Sequence, residues 1–260
     1  MMRDTLGFRL FSMAPAFLRR RILLNRARRD IEETGEVELL HLTKFVSPGD
    51  IVIDIGANTG TYSLALSELT NRVIAIEANP RLTAMLRTMR LPGVEVMEIA
   101  LAASEGSMTL NVIDGNYDEA TLRTQNLTGE LTPVRVRTRS LDSLGLDRVG
   151  FIKIDVEGFE EEVLTGATNT IDTDLPTLLI EIEERHNLGG LARISKLLGE
   201  RGYEAFFLYG NIWNPLSTFD PSIHQNERKL EVEGAFRRRE VDYVNNFVFL
   251  QPKAIERIMR

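Results

Sequence analysis

The stretch DIVIDIGANTGTYSLAL, residues 50–66, decides the fold. Ile51, Val52, Ile53 and Ile55 are β-branched and nearly uninterrupted, which suits a strand buried on both faces. Gly56 and Gly60 bracket Ala57, Asn58 and Thr59 in what reads as a turn. Beyond it Tyr62, Ala65, Leu66 and Leu69 recur at i, i+3, i+4 and i+7, the spacing that lines one helix face. Strand, glycine turn and helix in this order open an α/β sheet of the kind that binds ligands beyond the carboxyl ends of its strands.

The same alternation recurs on the C-terminal side. RVIAIE (72–77) precedes Leu82, Met85, Leu86 and Met89 at helical spacing, and VEVMEIA (94–100) follows. FIKIDV (151–156) precedes Phe159, Val163, Leu164 and Ala167, and TLLIEIE (177–183) precedes Leu191, Ile194 and Leu198. Five strands too apolar to have a wet face predict a parallel sheet with helices on both sides. YEAFFLY (203–209) and NNFVFLQ (245–251) have no helical pattern between them and are expected to pair antiparallel at one edge, for seven strands in all. Two stretches break the rhythm, about 105–140, with MTLNVID and VRVRT as a hairpin, and 211–244. Stretches this long carry function or lack order. The chain reads as one domain over 41–260 with these two insertions and a basic helical extension over 1–40.

Composition narrows the chemistry. The absence of cysteine removes disulfides, thiolate metal sites and thiol nucleophiles. The net charge of −7 conceals an asymmetry: residues 1–30 hold eight arginines against Asp4 and Asp30, a balance of +6, so the rest carries −13. An acidic body disfavours nucleic acid as a partner. The arginine-interrupted segment LGFRLFSMAPAFLRRRILLNRARR (6–29) has neither a membrane-spanning run nor a signal-peptide core. It reads as a helix docked on the body or on a second subunit, or as one lying on an anionic membrane with Phe8, Leu10, Phe11, Phe17, Ile22 and Leu23 immersed. The expectation is a cytoplasmic protein, membrane-peripheral in the second case.

The turn selects its ligand by charge. A dinucleotide site would read G-x-G-x-x-G and place a pyrophosphate at the helix N-terminus. Here the motif is D-x-G-x-x-x-G, with Asp54 at the strand end, where it repels phosphate and attracts an ammonium. Glu77, ending the second strand, can accept hydrogen bonds from both hydroxyls of a ribose. A ligand with a ribose, a cationic amino-acid end and no phosphate satisfies both, and S-adenosylmethionine is such a ligand. A plain tight turn, or Asp54 as a helix cap, is the bland alternative.

FIKIDVEGFEEEVLTGA (151–167) brings Asp155 and Glu157 to the end of a strand, with Gly158 releasing the chain into a helix. Together with DIGANTGTYSL, VIAIEANP, ALAASEG and PTLLIEIE, it resembles the FkbM family of S-adenosylmethionine-dependent methyltransferases over about residues 48–183. The resemblance implies the class I methyltransferase fold and, usually, O-methylation of a hydroxyl on a sugar, polyketide or other small molecule. It implies that Asp54, Gly56, Asn58 and Gly60, with Ala57 and Tyr62 beside them, form the cofactor turn. It also puts Glu77 and Ala78 at the ribose, Ala100 and Leu101 near the adenine, and Asp155 and Glu157 at the methyl-transfer region.

Three residues are candidates for removing the acceptor proton: Asp155 and Glu157 first, then His186, whose unperturbed pKa of about 6.5 suits the task. Glu157 as a partner of a helix dipole and His186 as an exposed residue are the competing readings, and His41 and His224 read as structural or solvated. Asp155, Glu181 and Glu183 are candidate oxygen ligands for Mg²⁺, but hydrogen bonding to loop backbone is preferred and no metal is expected. Trp213, Phe219, His224 and the arginines at 237–239 are expected either to cap an acceptor pocket or, for Trp213, to pack inward. The rival functions are a non-catalytic S-adenosylmethionine-binding module, a nucleic-acid methyltransferase, which the sequence DVEG after the fourth strand disfavours, and a nicotinamide dehydrogenase.

Overall fold

The computed structural model describes residues 13–33, 36–113, 116–121, 131–226 and 243–259. Phe8, Leu10, Phe11, the arginines at 237–239 and parts of both insertions lie outside the described residues. In chain order the elements are α1 (Ala16–Glu33), a 3-10 turn (Val37–His41), α2 (Leu42–Phe45), β1 (Ile51–Ile55), α3 (Thr61–Ser67), β2 (Val73–Ile76), α4 (Pro80–Met89), β3 (Val94–Met97) and β4 (Ala100–Leu101). There follow β5 (Gly106–Ile113), β6 (Asn116–Thr121), β7 (Leu131–Arg139), β8 (Val149–Ile154), α5 (Glu160–Thr165), α6 (Thr168–Asp174), β9 (Thr177–Glu181) and α7 (Gly190–Gly199). The chain closes with β10 (Glu204–Tyr209), β11 (Ile212–Pro215), α8 (Pro221–His224), β12 (Asn246–Leu250) and α9 (Pro252–Ile258).

The main sheet runs β11-β10-β12-β9-β8-β1-β2-β3. β3, β2, β1, β8 and β9 are parallel, and β12 inserts antiparallel between β9 and β10. Every residue of β1, β2 and β12 is buried, as their β-branched and aromatic runs require. One face packs Ile53, Ile55 and Ile152 against Val163 of α5, Ile171 of α6 and Leu191, Ile194 and Leu198 of α7. The opposite face packs Val52, Phe151 and Leu179 against α2, α3 and α9, and Ala75 against α1 and α4.

Three expectations are corrected. The described residues give the main sheet eight strands rather than seven, because β11 folds back on β10 and takes the edge expected of β10 or β12. VEVMEIA is two strands: after β3 the chain leaves the main sheet, and β4 pairs in parallel with β7. The first insertion is more than a hairpin, since β5 and β7 pair antiparallel as expected but belong to a second sheet ordered β4-β7-β5-β6. Leu110, Val112 and Val136 of that sheet bury against Ala100, with Ala78 packed alongside, which brings the second sheet up to the end of β2.

From Ala16 onward the arginine-rich segment forms α1, which docks on the body. Leu23 and Ala27 are buried among Leu82, Met85 and Met89 of α4, and Arg20 Nε donates to the Met89 carbonyl at 2.9 Å. A guanidinium there satisfies a carbonyl in the last turn of α4 and complements its dipole. No helix of the described residues is long and apolar enough to cross a membrane.

Candidate active site

A cavity of about 390 Å³ opens beyond the carboxyl ends of β1, β2, β8 and β9. Gly56 begins its floor with φ +77°, and its N–H and that of Ala57 both donate to the Ile76 carbonyl. A Cβ on Gly56 would lie 1.7 Å from the Asp155 carbonyl oxygen, so the crossing of the β1 and β8 ends admits only glycine. Gly60, at φ +90°, instead faces α4, where a Cβ would meet Leu86 Cδ2 at 2.6 Å; it does not line the cavity.

Glu77 is buried, and its two carboxylate oxygens accept the backbone N–H groups of Asn58 at 2.8 Å and Asn79 at 2.7 Å. Burial raises its pKa against those two bonds. With about four acceptor positions, the carboxylate keeps room for a further donor from the cavity that Glu77 lines. Beside it Ala78, Ile99, Ala100, Leu101 and Leu110 make an apolar wall. Asp54 also lines the cavity but is almost wholly enclosed and accepts the Ser63 hydroxyl at 2.6 Å. Burial pushes it up to about 6, opposed by Ser63 and by Lys153. A polar carboxylate cradle beside an apolar slot suits a nucleoside, so the residues present fit S-adenosylmethionine.

The far end of the cavity is acidic. Asp155, Glu157, Glu181 and Glu183 all line it. Burial pushes Asp155 up to about 7, with Lys153 pulling it back and Glu157 pushing it further. Burial, and then the charges of Glu181 and Glu183, push Glu157 up to about 8. His186 Nδ1 stands 3.2 Å from Glu157 Oε2, so the three candidate proton acceptors are brought to one place, although His186 itself does not line the cavity. Glu157 and Asn58, which both line the cavity, hold left-handed backbone, φ +51° and +49°, a conformation that costs a residue with a side chain about 1–2 kcal/mol.

The reading of the sequence missed Lys153. It is buried in the middle of the acids, 3.8 Å from Asp155 and from Glu181, bonded to Asn246 Oδ1 at 3.2 Å and 5.1 Å above the Tyr62 ring. Burial would lower its pKa, but Asp155 and Glu181 outweigh burial and raise it. Glu183 is held separately, by a bidentate bond from Arg185 and by the Tyr243 hydroxyl. The carboxylates considered for Mg²⁺ are thus engaged by an ammonium and a guanidinium. No group of three His, Asp or Glu side chains among the described residues is arranged to hold a metal ion.

Lys153→Met is expected to cost about 2 kcal/mol at pH 8, below the usual range for a broken buried pair because Asp155 and Glu181 are partly solvated. Without the ammonium Asp155 rises further, so the loss should shrink by pH 6, where that carboxyl is already protonated. Denaturant melts at the two pH values measure this; equal losses at both would contradict the charge argument.

Arg26 and Asp30 of α1, with Glu36 just before the 3-10 turn, also line the cavity, as do Tyr243 and Asn245 at the close of the second insertion. The aromatic residues expected to cap an acceptor do not. Trp213 packs inward against Phe45 and His41 on the buried face of the sheet. Phe219 and His224 join Phe207 and Phe247 in an aromatic cluster, and His224 Nδ1 accepts the Asp220 N–H.

The Methyltransferase FkbM domain model matches residues 54–205, more than half of the chain, and the chain belongs to the FkbM methyltransferase family. Its sheet is that of a class I methyltransferase. Membership of this family implies S-adenosylmethionine as methyl donor. The chain is similar to the hexuronic acid methyltransferase AglP of Haloferax volcanii, 29% identical over 153 residues, which cover 54% of this chain and 59% of that protein. It is also similar to the 2-O-methyltransferase NoeI of Sinorhizobium fredii, 24% identical over 148 residues, covering 48% of this chain and 60% of that one. The chain therefore spans about three fifths of these curated relatives. A crystal structure of methyltransferase FkbM from Methylobacillus flagellatus superposes with a TM-score of 0.48 and 16% identity over 77% of this chain and 43% of that one.

Proposed function

We propose that this chain transfers the methyl group of S-adenosylmethionine to a hydroxyl oxygen of a sugar or another polyhydroxylated small molecule. The observation that carries the reading is the acidic end of the cavity, where Asp155 and Glu157, with His186 3.2 Å from Glu157, share one cavity with the Glu77 cradle. The sugar acceptor is supported by the relatives whose names specify hexuronic acid and 2-O methylation.

When bound, S-adenosylmethionine supplies an electrophilic methyl on a cationic sulfur. Glu77 receives the ribose hydroxyls, and the apolar wall from Ile99 to Leu101 takes the adenine. Asp155 or Glu157 accepts the proton of the acceptor hydroxyl, and His186, in contact with Glu157, can carry it onward to solvent. The sheet ends and α1 wall the cavity and order the reactants. The acids, Tyr243 and Asn245 offer hydrogen bonds that suit a polyol better than an apolar ring.

The purified chain, given methyl-labelled donor and a pool of sugars, glycans and polyketides, should deposit label on a hydroxyl oxygen. Glu77→Ala should weaken donor binding about tenfold, the loss expected for charge-assisted hydrogen bonds. Donor binding without transfer to any of the pool would favour a binding module, and failure to bind the donor at all would remove the reading.

A pH dependence follows. Because the folded-state pKa values of Asp155 and Glu157 are raised, the empty protein is favoured at low pH and loses that stability as pH climbs through about 7 and 8. The same ionisation builds negative charge facing the donor's cationic end. Calorimetry should show the preference for S-adenosylmethionine over S-adenosylhomocysteine, which lacks the sulfonium charge, growing several-fold from pH 6 to pH 8. A preference that stays flat would place the sulfur away from these acids.

A further inference from the structure

We infer that the outward face of α1 is a docking surface for an anionic lipid bilayer. The helix has two faces of different chemistry. The inner one buries Leu23 and Ala27 against α4. The outer one leaves Phe17 75% exposed, Leu18 38% and Ile22 40%, with Met13 82% exposed just before the helix starts. Arg21, Arg28 and Arg29 are exposed and fall, at 100° per residue, on the arc between Phe17 and Ile22. Large apolar side chains left in water beside guanidinium groups are what a helix lying in a membrane interface presents: the apolar residues enter the acyl boundary while the arginines meet lipid phosphates.

Charge selects this occupant over a second copy of the chain. The first 30 residues carry +6 and the remaining chain −13. An anionic surface therefore attracts α1 and repels the body, which orients the protein with α1 toward the lipid. Two copies of α1 brought face to face would set their arginines against one another. The same helix walls the cavity through Arg26 and Asp30, so a bilayer against its outer face lies about one helix diameter, about 10 Å, from the site.

The test is flotation of the full chain with liposomes of phosphatidylcholine alone and with about 30% phosphatidylglycerol. Binding is expected only with the anionic lipid and should weaken from 50 to 300 mM salt. The double variant Phe17→Asp/Ile22→Asp should lose binding about tenfold or more, with its melting temperature and its affinity for S-adenosylhomocysteine unchanged, since neither side chain is buried. Wild-type protein that stays in solution with anionic liposomes overturns the inference. So does equal binding to neutral lipid, or a dimer in solution that the double variant splits into monomers without any flotation.

Discussion

Replacing Asp155 by Asn should lower methyl transfer about a hundredfold or more, the usual contribution of a positioned general base, while leaving S-adenosylhomocysteine binding near that of wild type. The amide keeps the size of the carboxyl but can neither take a proton nor carry the charge that stands 3.8 Å from Lys153. S-adenosylhomocysteine carries no sulfonium, so its affinity reports the cradle formed by Glu77 and the β1 turn rather than the charge at the reacting end. Glu157→Gln and His186→Gln, measured alongside, separate the candidates. If Asp155→Asn transfers methyl groups normally while the other two fail, the proton goes to the pair that His186 Nδ1 forms with Glu157 at 3.2 Å.

Gly56→Ala should cost about 4 kcal/mol of stability, or prevent folding. Two penalties add: left-handed backbone with a side chain, about 1–2 kcal/mol, and overpacking, about 1–3 kcal/mol. The second is severe because the obstructing atom, 1.7 Å away, is the backbone oxygen of Asp155 and not the end of a flexible side chain. Gly145 is the control: its φ is also positive, +63°, but nothing lies within 4 Å of its missing Cβ. Gly145→Ala should therefore show the conformational penalty alone, about 1 kcal/mol. Equal losses at the two positions, in thermal or denaturant melts, would mean that the β1–β8 crossing is looser than the distances state.

Most of the parallel sheet was readable because strands buried on both faces need long β-branched runs, and the helices over them showed their apolar spacing directly. Leu82, Met85, Leu86 and Met89 all proved buried. β11 was missed because its sequence, Ile-Trp-Asn-Pro, ends in residues that signal loops. The clue to it was the preceding pair: Gly210 and Asn211 both have φ +59°, the two-residue reversal that makes Tyr209 face Ile212 across a tight hairpin.

In the site, the residues next to a strand end or a glycine turn were legible: Asp54, Glu77, Asp155 and Glu157 all line the cavity. Lys153 was not, because alternation along a strand says which face a residue takes but not that its ammonium finds two carboxylates. One of its partners, Asn246, is 93 residues away. Arg26, Glu36, Tyr243 and Asn245 reach the cavity only through the three-dimensional packing of distant segments, and no local spacing announces them.

The left-handed backbone at Glu157 sets a limit on how far this protein can be hardened. Glycine would relax that residue, and melting experiments on Glu157→Gly should register the relief. The same change deletes a carboxyl group from the reacting end of the cavity. A search for heat-resistant variants that scores folding alone would thus be drawn toward position 157 and would return sturdier proteins with an impaired reaction.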